Sequence, residues 1–276
     1  MNVRHLLSQA CSELLLSTEG RREAEILLCH TLGVSRSWIY ANPEKPVNAA
    51  HCAAYMQLIQ KRREGQPIAY ITGSREFWSL PLKVTPAVLV PRPETELLVE
   101  KALECIPVNK HWRVADLGTG SGAIALAIAS ERPSCEIHAT EISREALSIA
   151  QENAKNLGLE QIQFHHGSWL TPLTGRFACI VSNPPYVSIS DPHMQRGDCR
   201  FEPESALSPG SDALASIRQI AETALPHLEK GGTLAFEHGF EQGPGSRKIL
   251  LELGYVNVKT VSDLAGLERV TLGSKS

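Results

Sequence analysis

The stretch VADLGTGSGAIALAIASE, residues 114–131, decides the fold. An apolar run ends at Leu117, glycines alternate with small polar residues over Gly118–Gly122, and a run of helical composition begins at Ala123. This order predicts a buried strand, a tight loop and a helix. Glycine adopts positive φ freely and lets a ligand approach the backbone, and a helix that begins at the loop adds unpaired N–H groups. We therefore expect a mononucleotide-like ligand at the carboxyl end of this strand.

Strand-like and helix-like segments continue to alternate along the chain. The strand candidates are WRVADLG (112–118), CEIHATE (135–141), IQFHHG (162–167), ACIVSN (178–183) and GTLAFEHG (232–239). Amphipathic segments such as SREALSIAQENAKNLG (143–158) separate them, which predicts a mostly parallel α/β sheet with helices on both faces. The tail GYVNVKTVSDLAGLERVTLG (254–273) holds two β-rich runs without a helix between them, so we expect an antiparallel pair at one edge.

The chain before this sheet divides into two parts. Residues 1–73 carry apolar residues at helical spacing, and the segment AAHCAAYMQLIQKRREG (49–65) ends in basic residues and glycine, as a helix should. Residues 74–91 carry β-branched and aromatic residues interrupted by prolines, and a helix begins near Pro93. We predict a small helical domain over 1–73, a hairpin and linker over 74–91, and the sheet domain over 92–276.

Composition and charge limit the classes of protein. The 276 residues are 42% hydrophobic and contain no apolar run long enough to span a bilayer, so we expect a sizeable core, no membrane partner and a cytoplasmic monomer. The seven cysteines are scattered and form no CxxC pair, which argues against a disulfide framework and a metal site. The net charge is -3, and residues 74–276 carry 19 basic against 24 acidic side chains, so a nucleic acid partner is not favoured.

Two carboxylates near strand ends narrow the class of ligand. Glu141 ends the second strand, where it can accept hydrogen bonds from both hydroxyls of a ribose. Asp116 lies directly before the loop, where it would repel the pyrophosphate of a dinucleotide and attract a cation. S-adenosylmethionine carries an ammonium and a sulfonium and meets that requirement. A structural role, in which Asp116 bonds the amides of the loop, is the alternative.

The glycine spacing alone leaves a second class of enzyme open. Gly118-x-Gly120-x-x-Ala123 also satisfies a relaxed dinucleotide fingerprint. An NAD-dependent oxidoreductase therefore stays open as an alternative.

The segment SNPPY, residues 182–186, follows the fourth strand at the same edge of the sheet. Pro184 and Pro185 lack N–H groups but keep their carbonyls, and Asn183 adds a side-chain carbonyl. The segment predicts a rigid pair of acceptors for both hydrogens of a planar –NH₂ group, which would aim the lone pair of an amide or aniline-like nitrogen at a methyl electrophile. We expect Tyr186 to close over that nitrogen and exclude water, the alternative being a proline-stiffened structural loop.

These motifs together resemble one known family. The segments SNPPY, DLGTGSGAIALAIA, GSREFWSLPLKVTPAVLVPRPETE and RFEPESAL are similar to those of the peptide chain release factor glutamine methyltransferases, the PrmC or HemK proteins. The resemblance spans essentially the whole chain, and PRPETE and FEPxxAL are more specific than NPPY, which marks a broader set of amino methyltransferases. It implies a Rossmann-like S-adenosylmethionine-dependent sheet domain that methylates the side-chain nitrogen N5 of the glutamine in the GGQ motif of class 1 release factors.

The resemblance also implies roles for particular residues. The residues expected to bind the cofactor are Asp116, Gly118, Thr119, Gly120, Ser121, Gly122, Glu141, Trp169 and Asn183. The residues expected to hold the substrate amide and support catalysis are Asn183, Pro184, Pro185 and Tyr186. The residues expected to shape the substrate entrance are Arg92, Glu94 and Glu202. The helical domain is expected to bind the release factor outside its GGQ loop.

Some positions depart from the family pattern. Ser79 stands where glycine is common, and Ser168 stands where an acidic residue commonly precedes Trp169, which removes an expected hydrogen bond to the adenine amino group. Glu141 replaces a more frequent aspartate, and its carboxylate still reaches the ribose. Trp169 either stacks on adenine or packs in the core.

Other functions remain open beside the one that the resemblance implies. A glutamine methyltransferase of a ribosomal protein shares the chemistry. A nucleic acid adenine methyltransferase shares NPPY but is disfavoured by the acidic sheet domain. A non-catalytic partner-binding protein is disfavoured by the complete Asn-Pro-Pro-Tyr set.

Overall fold

A computed structural model of the chain describes residues 1–14, 19–195 and 197–276. The chain divides into two compact units, Met1–Gly73 and Ser74–Ser276, and the predicted hairpin belongs to the second of them. Within the described ranges, no helix combines the length and the hydropathy that a bilayer-spanning segment requires.

The first unit is built from short helices. These are α1 (Val3–Glu13), α2 (Gly20–Leu32), α3 (Arg36–Ala41), α4 (Ala49–Arg63) and α5 (Ile68–Thr72). The side chains of Asn2, Ser35 and Asn48 each accept the backbone N–H three residues on, which caps α1, α3 and α4. Tyr55 is fully buried in the apolar cluster of this unit, and its hydroxyl donates to the Ala24 carbonyl at 3.0 Å. The predicted helices are confirmed.

The second unit begins with a hairpin and continues as an alternation of strands and helices. Its elements are β1 (Ser74–Phe77), β2 (Leu80–Lys83), α6 (Glu96–Cys105), β3 (Arg113–Leu117), α7 (Ala123–Glu131), β4 (Glu136–Glu141), α8 (Arg144–Asn156), β5 (Gln163–His166), β6 (Phe177–Ser182), α9 (Glu204–Leu207), α10 (Ala215–His227), β7 (Leu228–Glu237), α11 (Gly243–Glu252), β8 (Val256–Ser262) and β9 (Glu268–Ser274). Short 3₁₀ turns cover Pro93–Thr95, Pro192–Gln195 and Gly197–Phe201.

The hairpin turn explains one departure from the family pattern. Strands β1 and β2 pair antiparallel, and the two residues between them, Trp78 and Ser79, have φ of 52° and 58°. Two-residue turns of this kind favour glycine because both positions need positive φ. The glycine that is common at position 79 therefore has a conformational reason, and Ser79 occupies the same turn at a steric cost.

The seven-stranded sheet has the order β5-β4-β3-β6-β7-β9-β8. Its first five strands pair in parallel, whereas β9 runs antiparallel to both β7 and β8. This confirms the predicted parallel sheet and the antiparallel pair at its edge. The strand order reverses between β3 and β6, and open sheets bind ligands beyond the carboxyl ends of the strands at such a point.

Two apolar clusters cover the two faces of the sheet. Leu126 of α7 lies in one cluster and Ile220 of α10 in the other, and both side chains are fully buried. Alternate residues of β3 enter opposite clusters, with Val114 on one side and Ala115 on the other. Truncating a buried leucine in such a core costs about 2–5 kcal/mol of unfolding free energy. The strand ends beneath the candidate site are therefore held firmly from both faces.

Candidate active site

The glycine loop, Gly118–Gly122, leads from β3 into α7. Its three glycines have φ of 71°, 57° and 86°, a region that other residues rarely enter. The N–H groups of Gly118 and Thr119 both donate to the Thr140 carbonyl at 2.9 Å, and that of Gly122 donates to the Thr119 carbonyl at 2.8 Å. Much of the predicted set of unpaired donors is thus already used within the protein. The loop offers a ligand close approach to the backbone rather than a row of free N–H groups.

Glu141 closes the next strand and faces the same loop. Its Oε2 accepts the N–H of Gly120 at 3.0 Å, and its Oε1 accepts the N–H of Ser143 at 2.9 Å. The carboxylate is therefore fixed in place. Each of its oxygens keeps a second lone pair, so both can still accept hydroxyl hydrogens from a ribose.

The structure corrects the role predicted for Asp116. Its side chain is fully buried beneath the loop, where Oδ2 accepts the Thr119 hydroxyl at 2.6 Å and the N–H of Ala125 at 3.1 Å. Oδ1 is buried without a partner among the described residues. Burial raises the pKa of Asp116 to about 7, against the effect of the two hydrogen bonds. Asp116 anchors the loop instead of meeting the charge of a cofactor.

Trp169 packs directly on the glycine loop. Its φ is 47°, and its Nε1 donates to Oε1 of Gln219 at 3.1 Å. A Cβ added to Gly118 would lie 3.0 Å from Cζ3 of Trp169, which is tighter than ordinary contact, and the φ of 71° also favours glycine there. Trp169 and Ser168 both line the cavity described below. The indole is therefore a wall of the site and also packs against the apolar cluster around α10.

Asn183 follows the carboxyl end of β6 and lines the same cavity as the glycine loop. The register pairs Leu117 with Ser182, and the Ser182 hydroxyl donates to the Leu117 carbonyl at 2.7 Å, so the two loops start side by side. Nδ2 of Asn183 donates to Oγ1 of Thr95 at 3.1 Å. This bond turns Oδ1 of Asn183 away from Thr95, and among residues 1–14, 19–195 and 197–276 we find no hydrogen bond to that oxygen.

The structure also differs from the prediction for Tyr186. The residue is not part of the cavity wall, and its hydroxyl donates to Oε1 of Glu237 at 2.9 Å. Burial raises the pKa of Tyr186, and the nearby Glu237 carboxylate raises it further. Gln242 donates from Nε2 to the Tyr186 carbonyl at 2.8 Å. Tyr186 thus anchors the end of the proline segment to β7 and does not cover the cavity.

The three residues predicted at the entrance take different positions. Arg92 lines the cavity and forms an ion pair with Glu202. Glu202 is buried, accepts the N–H of Val90 at 3.1 Å, and lies behind Arg92 rather than on the wall. Burial raises the pKa of Glu202, although the positive charge of Arg92 opposes that shift. Glu94 is exposed and lies outside the wall, because it sits in the 3₁₀ turn that leads into α6.

A cavity of about 510 Å³ lies at this edge of the sheet. The predicted residues on its wall are Arg92, Gly118, Thr119, Gly120, Ser121, Glu141, Trp169, Asn183 and Pro185. The predicted residues outside the wall are Glu94, Asp116, Gly122, Pro184, Tyr186 and Glu202. Gly122 is set back because it caps α7, and Pro184 because it is buried behind its two neighbours.

Sequence reasoning missed several residues of the wall. Ile142 is one of them, and its side chain is 64% exposed although it is strongly apolar. An isoleucine directly after the strand-end acid was a usable signal, because an apolar side chain there can pack against a nucleoside. Thr95 and the segments 86–89 and 203–208 also contribute to the wall; they lie in or beside the segments that resemble the family, and that resemblance was the available signal.

The cavity fits S-adenosylmethionine better than a dinucleotide. Its volume is in the usual range for a small-molecule site. The Glu141 carboxylate and the Asn183 amide oxygen supply acceptors, which suit a cationic ligand with hydroxyl and amino donors. A pyrophosphate needs donors, and the N–H groups of Gly118, Thr119 and Gly120 are already bonded inside the protein.

The sheet, the glycine loop and this acceptor-lined cavity define an S-adenosylmethionine-dependent methyltransferase. The chain is 48% identical over 274 residues to the release factor glutamine methyltransferase of Escherichia coli (strain K12), covering 99% of each chain. It is 49% identical over 253 residues to that of Vibrio cholerae serotype O1, covering 91% of this chain and 88% of the relative. The chain belongs to the release factor glutamine methyltransferase family, and the oxidoreductase alternative is wrong.

Family models agree with this assignment, and a solved structure shares the fold. The PrmC N-terminal domain matches residues 5–73, and the Methyltransferase small domain matches residues 94–196. The fold is similar to that of the Thermus thermophilus 16S rRNA N2 G1207 methyltransferase in complex with AdoMet and guanosine, with a TM-score of 0.55 and 20% identity over 74% of this chain and 50% of that one. At that identity the likeness concerns the fold alone.

Proposed function

We propose that this protein transfers a methyl group from S-adenosylmethionine to N5 of the glutamine in the GGQ motif of class 1 peptide chain release factors. The observation that carries the proposal is Asn183, which lines the cavity together with the glycine loop and whose amide nitrogen already donates to Thr95, so that its amide oxygen is left for a substrate hydrogen. Membership of the release factor glutamine methyltransferase family supports the same substrate.

The cofactor half of the cavity is formed by the glycine loop and its neighbours. When bound, S-adenosylmethionine supplies an electrophilic methyl group on a sulfonium, whose leaving group is a neutral thioether. Glu141 would hold the ribose through its two carboxylate oxygens. Trp169 and Ile142 would pack against the nucleoside, and Gly118–Gly122 would let it lie close to the backbone.

The proline segment would hold the substrate amide. Oδ1 of Asn183 and a backbone carbonyl of the proline segment, whose Pro185 lines the cavity, would accept the two N–H hydrogens, and neither proline has an N–H that could compete. This arrangement aims the nitrogen lone pair toward the cofactor half of the cavity, which is a positioning effect. The extra proton can leave the nitrogen after the methyl group has arrived, so no charged base is obligatory. Pro185 stiffens the segment, and Tyr186 anchors it to Glu237.

The helical unit, Met1–Gly73, would bind the release factor outside the GGQ loop. It matches the PrmC N-terminal domain and carries a slight excess of basic side chains. Removal of residues 1–73 should weaken binding of a release factor, measured by titration calorimetry. Retained binding of S-adenosylhomocysteine by the remaining 74–276 chain would show that the sheet unit is still folded. Unchanged release factor binding in that folded chain would contradict this part of the proposal.

Mass spectrometry of the substrate tests the reaction itself. A purified class 1 release factor is incubated with the protein and S-adenosylmethionine with an isotopically labelled methyl group, and its tryptic peptides are analysed. The labelled methyl should appear on the GGQ glutamine and be absent when that glutamine is replaced by alanine. A parallel incubation with ribosomal proteins covers the alternative substrate, and methylation there without methylation of the release factor would contradict the proposal.

A further inference from the structure

The side-chain amide of Asn183 can face the cavity in two ways. With Oδ1 toward the cavity it accepts a substrate hydrogen, and with Nδ2 toward the cavity it would repel one. Nothing in Asn183 itself decides between the two, because the amide group is nearly symmetric in shape. The decision lies with the partner behind it, which is Oγ1 of Thr95 at 3.1 Å from Nδ2.

Thr95 accepts that bond and must place its own hydroxyl hydrogen elsewhere. Its side chain is only 4% exposed, so water is not the natural acceptor. Burial raises the pKa of Glu237, and the nearby Thr95 hydroxyl opposes that shift. A hydroxyl donates one hydrogen and accepts at two lone pairs, so Thr95 can accept from Nδ2 of Asn183 while its own hydrogen points elsewhere.

Glu237 anchors the far end of the proline segment. It ends β7, is 1% exposed, and accepts the Tyr186 hydroxyl at Oε1. Its Oε2 is buried without a hydrogen-bond partner among the described residues. A buried carboxyl group with an unpartnered oxygen is costly to the fold, which points to a role in ordering Tyr186.

We propose that Thr95 and Glu237 are positioning residues: Thr95 holds the Asn183 side chain through Nδ2, which leaves its oxygen for the substrate, and Glu237 holds the end of the proline segment through Tyr186. This inference rests on the proposed role of Asn183 in holding the substrate nitrogen. Nδ2 of Asn183 donates to Oγ1 of Thr95 at 3.1 Å, and the Tyr186 hydroxyl donates to Oε1 of Glu237 at 2.9 Å. Neither Thr95 nor Glu237 needs to touch the reacting atoms.

The test compares three substitutions of threonine. Thr95→Val keeps the shape and removes the hydroxyl, Thr95→Ser keeps the hydroxyl, and Thr233→Val is the matched control. Thr233 lies at the other end of β7 and is 3.5 Å from the Ser274 hydroxyl. For each variant, kcat and KM for a release factor are measured together with the Kd for S-adenosylhomocysteine.

Thr95→Val should lower kcat about tenfold or more and leave the Kd for S-adenosylhomocysteine within about twofold, since one oriented hydrogen bond is lost. Thr95→Ser should restore kcat to within about threefold of the wild type, and Thr233→Val should leave it unchanged. The inference is overturned if Thr95→Val keeps the wild-type kcat, if Thr95→Ser is as slow as Thr95→Val, or if Thr95→Val loses affinity for S-adenosylhomocysteine and kcat to the same extent.

A second variant keeps the inference testable if Thr95→Val does not fold. Glu237→Gln replaces one carboxyl oxygen with an amide nitrogen and disturbs the acceptor of the Tyr186 hydroxyl, so it should lower kcat about tenfold with little change in cofactor affinity. A wild-type kcat in this variant would show that Glu237 is not a positioning residue. An inactive wild-type protein would instead count against the proposed function, so the two failures are distinguishable.

Discussion

The glycine loop and the proline segment begin at neighbouring residues of adjacent strands, yet they prepare opposite surfaces. Glycine removes the side chain, so a ligand can meet the backbone, and proline removes the N–H, so a ligand meets acceptors. In Gly118–Gly122 several donors remain, but Thr140 and Glu141 accept them. In residues 182–186 two donors are missing from the start. Both surfaces are therefore poor in free donors, which suits a cofactor and a substrate that both bring their own hydrogens.

The glycine side and the proline side of the cavity have different proposed functions. Residues of the glycine side should change the affinity for the cofactor, and residues of the proline side should change the rate of methyl transfer. Substitutions on either side therefore test whether the two functions are separate.

The largest effect is expected on the proline side. Asn183→Ala removes one of the two acceptors for the substrate amide and should lower kcat by about 10²–10³, as the loss of a preorganised polar group does in other active sites. Calorimetric titration with S-adenosylhomocysteine should give a Kd within about threefold of the wild type. A variant with full turnover would show that the amide oxygen does not hold the substrate.

The next effect is expected on the glycine side. Glu141→Ala removes the ribose acceptor and also frees the N–H groups of Gly120 and Ser143, so the Kd for S-adenosylhomocysteine should rise about 10- to 100-fold. At saturating cofactor, kcat should recover most of its wild-type value. Glu141→Asp is the conservative control and should bind within several-fold of the wild type. If Glu141→Ala lost cofactor affinity and saturated kcat to the same extent, the glycine side would not act on cofactor binding alone.

A smaller effect is expected from the anchor beneath the glycine loop. Because the pKa of Asp116 is raised to about 7 by burial, the folded protein holds this proton more tightly than the unfolded chain. The wild type should therefore lose stability as the pH rises between about 4 and 7, whereas Asp116→Asn does not titrate. From pH 5.5 to pH 8, the unfolding free energy of the variant relative to the wild type should rise by on the order of 1–2 kcal/mol.

Urea denaturation at the two pH values measures this difference. Asp212→Asn removes an exposed carboxylate of the same unit and serves as the matched control. If the difference between Asp116→Asn and the wild type stays constant with pH, Asp116 does not carry the raised pKa.

The smallest effect is expected at Ser168, which lines the cavity beside Trp169. Ser168→Asp introduces the acidic residue that the family commonly has there, and a new hydrogen bond to the adenine amino group should lower the Kd for S-adenosylmethionine about two- to tenfold. Ser168→Asn is the neutral comparison and should gain less. A weaker affinity in the aspartate variant would place the adenine elsewhere in the cavity.

The sequence was sufficient for features that depend on local chemistry. The glycine spacing predicted the loop, the alternation of segments predicted the sheet, and two β-rich runs predicted its antiparallel edge, because each is a property of neighbouring residues. Asn183 and Pro185 could be placed on the wall because a segment that follows a parallel strand must lie at that edge.

The features that could not be predicted depend on packing between distant segments. Asp116 was expected in the cavity, but its side chain turns beneath the loop toward Thr119 and Ala125, which no spacing rule specifies. Tyr186 was expected over the substrate, but its partner is Glu237, fifty-one residues further on. Thr95 lies eighty-eight residues before Asn183, so its contact with the amide is visible only in the folded chain.

The central claim is that a pair of acceptors on the proline segment holds both hydrogens of the substrate amide. The most direct measurement is the mass of the GGQ peptide after prolonged incubation of a release factor with excess protein and excess S-adenosylmethionine. A glutamine that carries one methyl has a single N–H left and cannot engage both acceptors, so the reaction should stop at one methyl group. A second methyl on the same nitrogen, added at a rate comparable with the first, would contradict it.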